Sequence, residues 1–140
     1  MGVGCATYGQ PSSMRVTKAT GTLVFIVDDD DAVRDSLRLL LEAHGMMVED
    51  FSSTAEFDAA YRRRPRTCLI LDLHLPVTSG LEYLASRGTE GPGLPVIMVS
   101  GGGDDASRER AHELGAIAFL EKPVDDRELL SAIEQAIAPT

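Results

Sequence analysis

Four consecutive aspartates, Asp28 to Asp31, follow directly on the apolar run Leu23–Val27. Three more polar groups stand in the same relation to later apolar runs: Asp72 after Cys68–Leu71, Ser100 after Pro95–Val99, and Lys122 just beyond Ala118–Leu120. If those runs are neighbouring strands, their polar ends converge. Three carboxylates brought within about 4 Å of one another repel by roughly 1 kcal/mol per pair in water and several times more in a partly dry crevice, so a cation must neutralise them. Hard oxygen donors select Mg2+, Mn2+ or Ca2+ over Zn2+, and an incomplete set that leaves room for waters and a phosphate oxygen suits Mg2+. A carboxylate beside a bound divalent ion and a lysine can act as a nucleophile toward a phosphoryl donor, forming an acyl phosphate while the two cations screen the charge on the transferred group. Asp72 is placed for that role. Taken singly, each residue has a plainer reading: the Asp run as a solvated helix start favoured by the macrodipole, Asp72 as a turn residue, Ser100 as a loop starter, Lys122 as a surface charge.

The elements that must position these groups follow from periodicity. From Leu23 onward short apolar runs alternate with helical patterns, the signature of βα units wound into a parallel sheet, and five units can be counted. Strand one is Leu23–Val27, apolar throughout as a strand covered on both faces should be. The helix after it places Val33, Leu37, Leu40 and Leu41 on one face and stops at Gly45. A short strand at Met47–Phe51 leads to Ser53-Thr54-Ala55-Glu56, a capping box that opens a helix ending near Pro65. The third strand is Cys68–Leu71, and Gly80–Ser86 is the third helix. Gly88–Gly93 reads as a loop before the fourth strand at Pro95–Val99. A polar helix over Asp105–Leu114, closed by Gly115, has only Ala106, Ala111 and Leu114 to pack with, so it is the element expected to shift most easily. Ala118–Leu120 is a brief fifth strand, and a last helix capped by Asp125 and Glu128 carries Leu129, Leu130, Ile133 and Ile137 on one face. Right-handed crossovers make this an open sheet with helices on both faces, whose ligands bind beyond the carboxyl ends of the strands.

Length and composition bound the rest. The 140 residues make one domain, and 44% apolar with 25% charged residues is an ordinary globular balance with no apolar run of membrane-spanning length. Thirteen basic against twenty-two acidic residues give a formal charge of -9. A field of that sign repels phosphate backbones, which argues against direct nucleic-acid binding and for cations. Residues 1–21 lack periodicity and read as a flexible extension ahead of a domain at 22–138, with neither a lipidation pattern nor a signal peptide. Cys5 and Cys68 make no disulfide framework or metal knuckle, which fits a reducing cytoplasm.

At this point the residues resemble a family. Val27-Asp28-Asp29-Asp30, Leu71-Asp72 with Leu75-Pro76 and Ser79-Gly80, Val99-Ser100-Gly101 and Glu121-Lys122-Pro123, in that order, are similar to the response-regulator receiver domain of two-component signalling over about residues 22 to 138. The resemblance implies an α/β fold of flavodoxin-like, doubly wound type: a five-stranded parallel sheet of order 2-1-3-4-5 with helices on both faces. It implies Asp72 as phosphoacceptor and Asp28 and Asp29 as the acidic pair, with Asp29, Asp72 and the backbone carbonyl of His74 as Mg2+ ligands. Lys122 would pair with the phosphoryl group, Ser100 would donate its hydroxyl to it, and Phe119 would be the aromatic switch. The implied donor is a histidine kinase or phosphotransfer protein, the implied target a downstream protein or output domain, and slow self-dephosphorylation at the same site goes with them. A second copy of the chain is a further partner considered, and no membrane partner is.

Physical reasons stand beside these roles. Gly101 leaves the phosphoryl site open, and the Ser100 hydroxyl is drawn toward a new anionic oxygen because charge-assisted hydrogen bonds are the strong ones. That movement vacates space into which Phe119 can turn, and the weakly packed helix can follow, which couples the site to the surface of the fourth helix, fifth strand and fifth helix. Lys122-Pro123 is a candidate cis bond. His74, two residues past Asp72, is read either as a group that changes the lifetime of an acyl phosphate or as a solvent-facing loop residue. His44 and His112 have no ligand spacing and are read as structural.

Other readings are weaker on the residues. Gly101-Gly102-Gly103-Asp104-Asp105-Ala106 fits a dinucleotide-binding pattern with Glu121 twenty residues on, yet Asp104 and Asp105 would put two negative charges against a pyrophosphate. Met98 stands where a hydrolase nucleophile elbow needs glycine. A haloacid-dehalogenase-like phosphatase needs an acid where His74 stands. A receiver-like binding module that is never phosphorylated is the remaining alternative.

Overall fold

All five positions of β1 (Leu23–Val27) are buried, so the strand is covered on both faces and its side chains alternate between two cores. Leu23, Phe25 and Val27 join one cluster with Phe57, Tyr83, Leu84 and Ala111, while Val24 and Ile26 join the other with Leu37, Leu41, Leu129 and Ile133. The structure, a computed structural model, describes residues 21–87 and 94–138. The expected N-terminal extension apart from Gly21, with Cys5 in it, and the expected Gly88–Gly93 loop lie outside the described residues.

The remaining elements are α1 (Asp31–Ala43), β2 (Met47–Phe51), α2 (Thr54–Ala60), β3 (Thr67–Asp72), α3 (Gly80–Arg87), β4 (Val96–Ser100), α4 (Asp105–Glu113), β5 (Ala118–Glu121) and α5 (Asp126–Ile137). The sheet order is β2-β1-β3-β4-β5 with every pairing parallel, as expected. Helices α1 and α5 cover one face, and α2, α3 and α4 the other. Gly45 and Gly115 take positive φ of 82° and 102° just past the ends of α1 and α4, which lets their N–H groups turn back onto the Glu42 and His112 carbonyls.

Three local expectations need correction. Helix α2 ends at Ala60, not near Pro65: Tyr61 turns extended and its ring packs 5.6 Å from Phe25 and 5.3 Å from Phe57, so aromatic packing ends the helix early. The box at its start is displaced by one residue, because Ser53 accepts from the Glu56 N–H while the Glu56 carboxylate accepts from Ser52, not Ser53. Ala106 faces solvent, so of the three residues expected to pack only Ala111, buried within α4, and Leu114, half-buried at its C-cap, meet the core. Strands β3 and β5 each run on to a polar residue, Asp72 and Glu121, one position beyond the apolar run.

Candidate functional site

Register decides which polar residues meet. Val27 pairs with Leu71 and Asp72 with Val99, so Asp28 and Asp72 are neighbours one step past paired residues, on strands about 4.8 Å apart. Ser100 pairs with Glu121, which puts Lys122 next to the same edge, and the Lys122 N–H donates to the Ser100 carbonyl at 2.8 Å. Carboxylate oxygens of Asp28, Asp29 and Asp72 lie within 4.8 Å of one another. Lys122 Nζ stands 2.9 Å from Asp28 Oδ2 and 3.4 Å from Asp72 Oδ1. The Lys122-Pro123 bond is cis.

The aspartate run divides in two: Asp28 and Asp29 gather with Asp72, and Asp30 and Asp31 open the helix. Asp28 is buried at the strand end, and Asp29 is exposed beside it. Asp30 is the N-cap of α1, accepting from the Ala32 and Val33 N–H groups, and Asp31 in the first turn pairs with Arg34. The local signal for a helix start therefore belongs to Asp30 and Asp31, and the acidic cluster draws on the two residues before them.

Asp72 is 4% exposed. Burial raises its pKa first and the Asp28 charge raises it further, against the opposing pull of Lys122 and the His74 N–H. Burial alone would lower the pKa of Lys122, but the hydrogen bond and charge of Asp28, with those of Asp72, hold it above its ordinary value. Two buried carboxylates and one ammonium leave the pocket short of positive charge. The donor set is all oxygen, clustered, and too few in number to enclose an ion, which fits Mg2+ retaining some of its waters. The fit rests on Asp28, Asp29 and Asp72.

Ser100 is fully buried, and its Oγ accepts from the Gly102 N–H at 3.1 Å. The His74 ring reaches across from the end of β3 to place Nε2 3.3 Å from that Oγ. His74 is thus exposed, as the plain reading had it, and also in contact with a site residue. His44 bonds the Leu40 carbonyl as the cap of α1. Cys68 is a free thiol within the core, pushed up to about 12 by burial and so inert.

Arg34 was missed by sequence reasoning. It donates to the Asp28 carbonyl at 2.6 Å and to Asp50 at 2.9 Å, and Arg38 also pairs with Asp50. The only sequence hint was acidic residues three and four positions before Arg34; Asp50, on another strand, gave none. The Arg38 hydrogen bond, with help from Arg34, holds Asp50 below its ordinary pKa despite burial. A depressed folded-state pKa gives stability that is present above the unfolded value and lost as pH falls through the folded one. Asp50→Asn is therefore expected to cost about 1 kcal/mol at neutral pH. That difference, followed by urea unfolding, should vanish below the ordinary Asp range; a pH-independent gap would show that packing and not charge is lost.

Among the described residues no helix is long and apolar enough to cross a membrane. The family description "Response regulator receiver domain" matches residues 24–134. The transcriptional regulatory protein FixJ of Azorhizobium caulinodans is 40% identical over 114 residues, covering 81% of this chain and 54% of that protein. The response regulator protein TodT of Pseudomonas putida is 35% identical over 130 residues, covering 93% and 57%. Among solved structures, response regulator StyR superposes with a TM-score of 0.76 at 39% identity, covering 83% of this chain and 59% of that one. The crystal structure of FixJ-N superposes with a TM-score of 0.77 at 34% identity, covering 86% and 97%. The chain spans about half the length of the curated relatives it matches. Because the matched span holds the acidic pocket as well as both cores, the chain belongs to the response regulator receiver domain family of two-component signalling.

Proposed function

We propose that Asp72 accepts a phosphoryl group from a histidine kinase or phosphotransfer protein, and that the modification changes the surface of α4, β5 and α5 to control a downstream protein or output domain. The observation that carries this reading is the convergence of a buried, charge-crowded Asp72 with Asp28, Asp29 and Lys122 at the ends of three strands. A cytoplasmic setting goes with it.

In the transfer, an Asp72 carboxylate oxygen attacks phosphorus, the new O–P bond forms as the donor's P–N bond breaks, and the departing imidazole nitrogen keeps the electron pair and takes a proton. Asp28 and Asp29, with Asp72 and the backbone carbonyl of His74, would hold Mg2+, which supplies Lewis-acid stabilisation of phosphoryl oxygens. Lys122 is within reach of the acceptor oxygen and balances charge there. The Ser100 hydroxyl, on the neighbouring strand, can donate to a phosphoryl oxygen, and Phe119 then moves as the switch. Water attack at the same phosphorus returns Asp72 and releases phosphate, a slow hydrolysis.

Incubation with acetyl phosphate and Mg2+, followed by intact-mass measurement, tests this. A mass gain of one phosphoryl group that chelation prevents supports it; no gain under conditions that leave the protein folded favours a binding module that works unphosphorylated. The exposed His74 ring lies against the Ser100 hydroxyl, Nε2 3.3 Å from Oγ. His74→Ala removes that contact and leaves room for water beside Ser100, so the acyl phosphate is expected to decay roughly two- to ten-fold faster, the scale of one modest hydrogen bond. An unchanged half-life would return His74 to the role of a passive loop residue.

A further inference from the structure

Helix α4 has little apolar surface with which to hold its place, since Ala111 is its one buried residue. A single polar side chain ties it to the neighbouring strand. The guanidinium carbon of Arg108 sits 4.7 Å from the centroid of the Phe119 ring, over its face. The same side chain donates to the Phe119 carbonyl at 3.1 Å and pairs with Glu121 at 3.2 Å, so all three contacts fall on β5. The tip of the ring meets Gly103: a Cβ there would lie 2.6 Å from Phe119 Cζ and 3.0 Å from Ser100 Oγ. Gly103 is thus the seat of the ring, and any side chain would fill it. The Ser100 hydroxyl and the tip of the Phe119 ring thus border the same small space at Gly103, and the ring carries on to Arg108 in α4.

We propose that Arg108 is the positioning residue of the aromatic switch, clamping Phe119 on Gly103 so that the ring and helix α4 move together. A guanidinium is attracted to the ring quadrupole, and its planar shape stacks on the ring as an ammonium cannot. Travel of the ring must therefore either break that stack or carry Arg108 with it. The helix yields because few buried side chains resist. Displacement of Phe119 becomes displacement of the surface groove of about 500 Å³ lined by Arg108, His112, Ala116 and Phe119. A local event shifts a surface only through contacts that differ between two states, and the stack is such a contact. The trigger rests on the phosphoacceptor reading above; the clamp is a property of the resting protein.

The test is NMR of the full 140-residue chain with 13C-labelled phenylalanine, in Mg2+ and then with acetyl phosphate added. In the unmodified chain one Phe119 ring environment should dominate before the donor, and the ring and the α4 amides should shift together after it. In Arg108→Ala the displaced ring population before the donor should rise roughly two- to five-fold, the scale of one exposed cation–π contact, and the α4 amides should lose their response although labelling proceeds at the normal rate. Arg108→Lys, which retains the charge facing Glu121 without the planar stack, should fall between. Gly103→Ala should unseat the ring with Arg108 intact and carry the α4 amides with it. Phe119 signals and an α4 response in Arg108→Ala like those of the unmodified chain would overturn the clamp, even with a lowered melting temperature. If the unmodified chain takes no phosphoryl group, the phosphoacceptor reading fails, and the donor-free ring populations still decide the clamp.

Discussion

Asp72→Asn is expected to abolish phosphoryl incorporation from acetyl phosphate and, at the same time, to raise the melting temperature of the protein in chelator. Loss of labelling follows because the amide has no anionic oxygen to attack phosphorus. The gain in stability follows from where the carboxylate sits. It is buried beside Asp28, and both burial and that neighbour raise its pKa. A raised folded-state pKa gives stability that is fully present below the unfolded value and lost as pH rises through the folded one, so at neutral pH the ionised Asp72 opposes folding. Removing one charge of a close buried pair is worth roughly 1–3 kcal/mol, a rise of several degrees. The advantage should shrink as pH falls through the raised pKa of Asp72, above the ordinary Asp value, and Mg2+ should narrow it by stabilising only the carboxylate form. Thermal melts of the two proteins at several pH values, with and without Mg2+, check all three statements. A lower melting temperature for Asp72→Asn would mean that the carboxylate is well compensated, and the crowding argument for a cation would fall with it.

Lys122→Met acts in the opposite direction. Its ammonium is the one basic group among the described residues that bridges Asp28 and Asp72. Asp28 is 3% exposed and cannot recover the lost partner from solvent. Breaking a buried pair from one side leaves an uncompensated charge, and with Lys122 itself part-buried the expected cost is roughly 2–4 kcal/mol, or about 10 °C in melting temperature. Mg2+ should restore part of that loss, because it answers the same excess of negative charge. Labelling from acetyl phosphate should slow by more than ten-fold, since charge on the transferred group loses one of its two counter-charges. A melting temperature within a degree or two of the parent would show that the ion pair contributes nothing net.

Much of this was legible in the linear chain, and the reasons are local. Apolar runs of strand length alternating with helical periodicity can bury themselves only as a covered parallel sheet, so β1, β3 and β4 and the strand-end positions of Asp28, Asp72 and Ser100 followed. Where prediction slipped, a tertiary contact overrode a local preference. Tyr61 left α2 for the aromatic cluster, Glu56 reached one residue further back, and Ala106 turned to water. The links through Arg34 and Arg108 had no signature at all, because their partners Asp50 and Phe119 lie 16 and 11 residues away and an arginine on a polar helix face looks like any other.

Residue types and periods therefore determined the elements and the chemistry available at their ends, since both depend on nearest neighbours along the chain. Only the tertiary structure decided that Asp28, Asp29 and Asp72 share one pocket with Lys122, that His74 bends back onto Ser100, and that a guanidinium stacks on Phe119 above a glycine seat. Those facts depend on strand register and side-chain reach across elements, and distances through space are set by packing, to which sequence separation is nearly blind.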